Sequence, residues 1–429
     1  MEKTGKRKLH YGYIIVICCC LIMGFDVGIS MSCASIFYTP VSTDLDVPLG
    51  KFSAYMSISF LTSSMMLSVA GELLHKYSAR WILTLNSVAL GLIIAGMGFL
   101  NAVWQFYIMG ALMGVTLAFL LYLSFPTLLN RWFSVKVGFF MGICSAASGI
   151  GGILLNPLGG WIMANYSWRT AYCFFGALIL LVVSPILGWL IRDYPKDKGL
   201  LPVGYKGDEP KVTIKNEDGI PYKTATRMIS FYALILFAFL IMVVSTLNLF
   251  IPSFMPQIDA TFKDSMILGI PLAAWTAAFI MAGVTIGKII LGYINDRSNA
   301  LGVIVMALLG IGGFVLLMFG NIGKFAILGG AFLFGWAYAG VTVQTAMLVR
   351  TVFGNKDYDR IFSVISMALA LGGAVSAWGW GELSDATSPI FTFFTGIVFL
   401  GICCIIGVSV LSARRKSKAL PDPSGLTAA

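Results

Sequence analysis

The sequence predicts an all-α membrane protein of twelve transmembrane helices, arranged as two pseudo-symmetric six-helix bundles. Three observations carry this prediction. Hydrophobic residues make up 58% of the 429 residues and charged residues 11%, with a mean hydropathy of +0.88, the composition of a polytopic membrane chain. Apolar runs of about 20 residues, enough for a helix to cross a hydrocarbon core of ~30 Å, recur along the whole chain. Lysine and arginine collect in alternate connections between those runs.

The runs lie at roughly 11–36, 53–74, 81–100, 105–129, 137–163 and 170–191, then 229–252, 268–293, 301–320, 325–349, 361–383 and 391–412. They define a first half over 1–191, a linker over 192–228, a second half over 229–413 and a tail over 414–429. The basic arm Lys3, Lys6, Arg7 and Lys8 precedes the first run without a signal-peptide cleavage pattern, and reads as a cytoplasmic flank. Of the 29 Lys and Arg residues, Lys51, Arg169, Lys263 and Lys324 map to one side and Lys288 to the interior of a span; the remaining 24 share the side of the termini. The positive-inside rule then places both termini and the linker in the cytoplasm, and the chain in a plasma or bacterial inner membrane. The linker, rich in Lys, Asp, Glu, Gly and Pro, reads as a solvated tether with at most a short surface helix.

Composition also excludes functions. All eight cysteines fall in apolar runs, where thiols pack rather than form disulfides. With two histidines and no ligand-spaced acids or thiols, no metal is expected. The net charge of +10 is a topology signal, not a nucleic-acid footprint, because it sits in loops. No phosphate-binding loop, cofactor motif or catalytic constellation is present, so neither an enzyme nor a nucleotide-driven pump is expected. The sequon Asn165-Tyr166-Ser167 lies in a very short loop against the membrane, unsuited to glycosylation.

Two ionisable residues lie deep in apolar runs. Lys288 stands in Thr285-Ile286-Gly287-Lys288-Ile289-Ile290-Leu291-Gly292. A cation at that depth costs at least ~2.5–3.5 kcal/mol and is rarely kept without a charged partner or ligand; the alternative is a side chain that snorkels to the headgroups. Asp26, in Gly24-Phe25-Asp26-Val27-Gly28, is the one acid deep in a run. Such a carboxylate suits proton coupling, since a proton cancels the buried charge; the alternative is a hydrogen-bonded structural acid. An ion pair between the two is disfavoured by their different depths. Among the other polar or aromatic residues inside spans, Ser30, Tyr122, Asn248, Trp275, Trp336, Tyr338, Gln344 and Trp378 are weaker candidates.

An internal repeat joins the halves. Gly71-Glu72-Leu73-Leu74-His75-Lys76-Tyr77-Ser78-Ala79-Arg80 follows the second span, and Gly292-Tyr293-Ile294-Asn295-Asp296-Arg297-Ser298-Asn299 follows the eighth. Both resemble the G-x-L-x-D-R-x-G loop of the major facilitator superfamily, with His75 and Ser78 departing from it in the first copy and Asn299 in the second. The resemblance implies a gating role for Gly71, Arg80, Gly292, Asp296 and Arg297. Asn130-Arg131-Trp132-Phe133 before span 5 and Ser167-Trp168-Arg169-Thr170-Ala171 after it resemble the oxalate/formate-antiporter and monocarboxylate-transporter branch. There, span 8 carries a carboxylate-binding arginine at R-x-x-x-G, and Lys288 occupies the matching position, four residues before Gly292. Lysine replaces a bidentate fork by a point charge. Some dianion carriers of that branch add a lysine in span 11, which this chain lacks. The family's cavity is lined by spans 1, 4, 7, 10 and 11, so Ser30, Tyr122, Asn248 and Gln344 are the expected hydrogen-bonding residues. The resemblance implies a monomeric secondary transporter of a small organic anion, a monocarboxylate for preference, coupled to protons or to a counter-transported anion. The proline and glycines of Asn156-Pro157-Leu158-Gly159-Gly160 fit the drug/proton-antiporter signature poorly, which leaves drug efflux as an alternative reading and a non-transporting sensor as a further one.

Overall fold

The computed structural model describes residues 10–135, 137–204, 219–262, 264–320, 323–354 and 356–419. Six long helices form the first half: Gly12–Asp44, Leu49–Lys76, Ala79–Met97, Val103–Trp132, Val137–Asn165 and Trp168–Leu190. Six form the second: Ile229–Leu249, Leu272–Arg297, Asn299–Met318, Lys324–Phe353, Tyr358–Ala386 and Pro389–Ala419. They are called spans 1 to 12. Eleven are long and apolar enough to cross a membrane. Span 2 has the length, at 28 residues, but its serines make it more polar, and Ser53, Ser59 and Ser63 are buried inside the protein.

Helix boundaries follow local chemistry. Prolines 48, 221 and 271 immediately precede helices, where a missing N–H costs nothing. Ser167 and Ser298 cap the next helices by accepting from the amides of Thr170 and Leu301. Span 1 runs eight residues past its expected end because Phe37, Tyr38 and Val41 are buried there despite the polar composition around Pro40. Span 8 starts at Leu272 instead of 268, since Met266–Ile267 and Ile270–Pro271 form a hairpin turned by Leu268 and Gly269, both at positive φ. The expected loops after spans 2 and 8 are also corrected: Gly71 to Lys76 and Gly292 to Arg297 are the last turns of the helices themselves.

Three stretches of the first half are wound as π-helix: Ile22–Ser32 in span 1, Ala118–Leu123 in span 4 and Ile179–Val183 in span 6. Widened turns leave backbone carbonyls without their usual partner and cluster at functional sites. In span 1 the Ser30 hydroxyl donates to the Asp26 carbonyl of its own helix at 2.7 Å. The linker ends are pinned to the bundle. Val203 pairs with Trp132 and Ser134 by backbone bonds of 2.9 and 3.0 Å, and the Ile220 amide donates to the Phe353 carbonyl at 2.7 Å. Its middle, 205–218, lies outside the described residues.

The halves touch chiefly along spans 2 and 11 and along spans 5 and 8. At the face away from the termini (the far face), the rings of Tyr38 and Phe250 lie 5.3 Å apart across the halves. Gly50 there opposes Gly381, and Gly160 opposes Ala274. At the terminal face, Gly71, Gly142 and Gly292, near the ends of spans 2, 5 and 8, have no neighbour among the described residues within 4 Å of where a side chain would begin. The halves therefore meet at the far face, around a cavity of about 600 Å³ lined by Thr39 and Asp44 of the first half and Pro252 and Gln257 of the second, and among the described residues they are less closely packed at the terminal face.

Span 5 meets span 1 at Gly151, where a Cβ would stand 1.9 Å from the Gly24 carbonyl oxygen. Gly151→Val should force the two helices apart and cost on the order of 1–3 kcal/mol, as overpacking does. A lower unfolding midpoint of the purified variant checks this; an unchanged midpoint contradicts the packing.

Candidate functional site between the two halves

Span 8 presents Ala274, Met281, Thr285 and Lys288 toward span 5, a face set by helical spacing. The first three rest against Gly160, Gly152 and Gly149 of span 5. Lys288 continues that seam toward the terminal face. It is half-buried, and its ammonium donates to the Ser145 carbonyl at 3.3 Å and to the Ser145 hydroxyl at 3.2 Å. Both acceptors are neutral, and among the described residues no carboxylate stands within ion-pairing distance. Nine residues separate Lys288 from the end of span 8 at Arg297, about 13 Å at 1.5 Å per residue. That is deeper than the five residues the sequence boundary implied, because the helix continues through Asp296.

Behind span 1, Asp26 is fully buried and points away from the seam. One carboxylate oxygen accepts from the Ser87 hydroxyl of span 3 at 3.0 Å, and Ser87 lies 2.9 Å from the Ser184 hydroxyl of span 6. The other oxygen, Oδ2, has no partner among the described residues. Asp26 and Lys288 thus belong to separate polar groups, one inside the first half and one between the halves.

A small mid-depth cavity of about 20 Å³ lies among Met31, Phe60, Met242, Thr246, Asn248 and Tyr338, space for one water molecule. Asn248 faces Tyr338 across it, and Tyr338 neighbours Tyr122, which in turn faces Ser63. Spans 7 and 10 therefore place an amide and a hydroxyl, those of Asn248 and Tyr338, on the cavity lining. Two expected cavity residues do not join it. Gln344 is fully buried inside the second half beside Gly302 and Asn295, because that side of span 10 packs on spans 8 and 9. The Ser30 hydroxyl is turned back onto its own helix.

At the terminal face, the Arg80 amide donates to Asp193 at 2.8 Å and its Nε to the Gly188 carbonyl at 2.6 Å, tying span 3 to the end of span 6. Arg297 bonds the Tyr293 hydroxyl and stacks on its ring. The Asp296 side chain lies outside the described residues. The residues flanking span 5 act as staples within the first half. Arg131 donates to the Leu74 carbonyl at 2.8 Å, buried Trp132 donates to the Arg192 carbonyl at 2.9 Å, and Arg169 pairs with Asp44 at 2.5 Å.

Sequence reasoning missed Ser145, Ser87 and Ser184 as partners of the two charges and underweighted Tyr338. Their only sequence signal is a hydroxyl in an apolar run, shared by many serines and threonines that merely bond their own helix.

Two six-helix halves meeting around a polar seam define a transporter architecture of the alternating-access kind. Residues 20–322 match the family described as Major Facilitator Superfamily, and the chain belongs to that family. It is 21% identical over 402 residues to the uncharacterized MFS-type transporter YcxA of Bacillus subtilis, covering 89% of this chain and 91% of that one. It is 27% identical over 152 residues to the membrane sensor protein UhpC of Salmonella typhimurium, covering 34% of this chain and 33% of UhpC. It is 36% identical over 91 residues to the glycerol-3-phosphate transporter of Bacillus subtilis, 20% of each chain. The match to the multidrug resistance protein MdtG of Dickeya zeae is 24% over 221 residues, 49% of this chain and 50% of MdtG. The chain therefore spans half or less of the length of the last three. The fold matches an inward-facing, unoccupied bacterial homolog of the human lysosomal transporter Spinster, with a TM-score of 0.71 at 14% identity over 97% of this chain and 100% of that one.

Proposed function

We propose that this chain is a secondary transporter of a small organic anion, a monocarboxylate for preference, with Lys288 as the anion anchor. One observation carries the reading: a membrane-depth ammonium at the seam between the halves, held by the neutral oxygens of Ser145. An anion arriving there offsets the burial cost that neutral acceptors leave in place. Alternating exposure of the seam then moves the anion. Uptake of a labelled carboxylate panel by proteoliposomes tests it; accumulation of none of them counts against the reading.

A phosphate ester is a second reading of the same site. Lysine binds phosphate well as a point charge, and the similarity to a glycerol-3-phosphate transporter favours it. Drug efflux, suggested by the MdtG similarity, would favour an acid facing the transport path, whereas Asp26 turns to spans 3 and 6. In this proposal Asp26 is the proton-coupling acid and acts through span 1 rather than by touching the anion. Both termini and the linker face the cytoplasm, on the distribution of basic residues. A cysteine at exposed Lys196 should resist an impermeant thiol reagent on intact cells; labelling from outside inverts the topology.

A further inference from the structure

The geometry points to a latch on the far face in which Glu382 and Asp385 of span 11 hold the start of span 2 and keep the halves closed there. Span 2 begins at Leu49 with no side-chain cap of its own, so its first-turn amides need other partners. Asp385, from the other half, supplies one: its Oδ2 accepts from the Gly50 amide at 3.2 Å. Glu382 stands beside it, with Oε1 2.9 Å from where a Cβ on Gly50 would be, and accepts from Trp378 Nε1 at 3.1 Å. The approach depends on glycine on both sides, since a Cβ on Gly381 would lie 2.4 Å from the Gly50 Cα.

A second, independent feature concerns span 11 itself. It ends at Ala386, so both acids sit at its C-terminal end, where a negative charge opposes the helix's own dipole. Their placement is unfavourable for span 11 and favourable for the positive end of span 2. Because the two spans belong to different halves, this contact exists only while the far face is closed. It therefore biases the protein toward the state open at the terminal face. When the far face opens, span 2 loses its cap and the acids gain water instead.

The test uses a reporter beneath the latch. Ser53 is fully buried one turn below Gly50, and its hydroxyl donates to the Gly50 carbonyl at 2.9 Å. Ser53→Cys protein is reconstituted in vesicles and exposed to an impermeant maleimide from the far face. Peptide mass spectrometry then reads the reaction at the introduced thiol and at buried Cys19. Glu382→Gln with Asp385→Asn should speed modification of the introduced thiol about two- to fivefold, the population shift expected from losing a charge–dipole contact, and leave Cys19 unchanged. Asp385→Glu should stay as slow as the parent. Equal rates in parent and double variant, or a rise that Cys19 shares, overturns the latch.

Discussion

Lys288→Ala weakens carboxylate binding by at least an order of magnitude while the protein still inserts and folds. The anchor supplies a charge-assisted contact of about 1.5–3 kcal/mol, so its loss weakens binding by roughly ten- to a hundredfold. Folding survives because the ammonium bonds a single residue, Ser145, by two long bonds to neutral oxygens. Losing them leaves no buried charge unpaired. Lys288→Arg retains partial activity with altered substrate preference, because the guanidinium restores charge but adds a planar fork. Equilibrium binding to the purified variants is the check. Parent-level affinity in the alanine variant reduces Lys288 to a helix-packing residue of spans 5 and 8.

Asp26→Asn abolishes proton-driven accumulation and leaves substrate exchange measurable. The carboxylate is fully buried, is bonded to Ser87 alone among the described residues, and leaves Oδ2 free. Asparagine keeps the shape and can still meet Ser87, but carries no exchangeable charge. The π-helical turns of spans 1 and 6 meet at this pocket, so a change of charge there acts on the helix that also lines the mid-depth cavity through Met31. Accumulation against a pH gradient and tracer exchange, measured on the same proteoliposomes, separate coupling from transport. Accumulation that keeps its pH dependence in Asp26→Asn makes the acid structural.

The fold was legible from sequence because lipid imposes a length and an apolar composition on every crossing, and charge asymmetry orders the crossings. What composition could not show was helix beyond the hydrocarbon. The polar end of span 1 around Pro40 is helical through tertiary packing, and the last turns of spans 2 and 8 continue their helices although mostly exposed or half-buried. The site was legible as charges and not as partners. Lys288 and Asp26 stand out in apolar runs, but which helix each faces depends on rotation. A residue's angle around a π-helical segment departs from the 3.6-residue rule that sequence reading applies. The same rotation hid the burial of Gln344 against span 9, while Tyr122 and Asn248 were placed by span membership.

The most direct test of an anion transporter anchored by Lys288 is a thermal-shift screen of the purified chain against monocarboxylates, phosphate esters and lipophilic cations. A ligand at a hundred times its Kd adds about 2.7 kcal/mol to the folded state. At least one organic anion should raise the unfolding midpoint in the parent and raise it by about half or less as much in Lys288→Ala at the same concentration, with lipophilic cations inert in both. Stabilisation by lipophilic cations and by no anion would contradict the account.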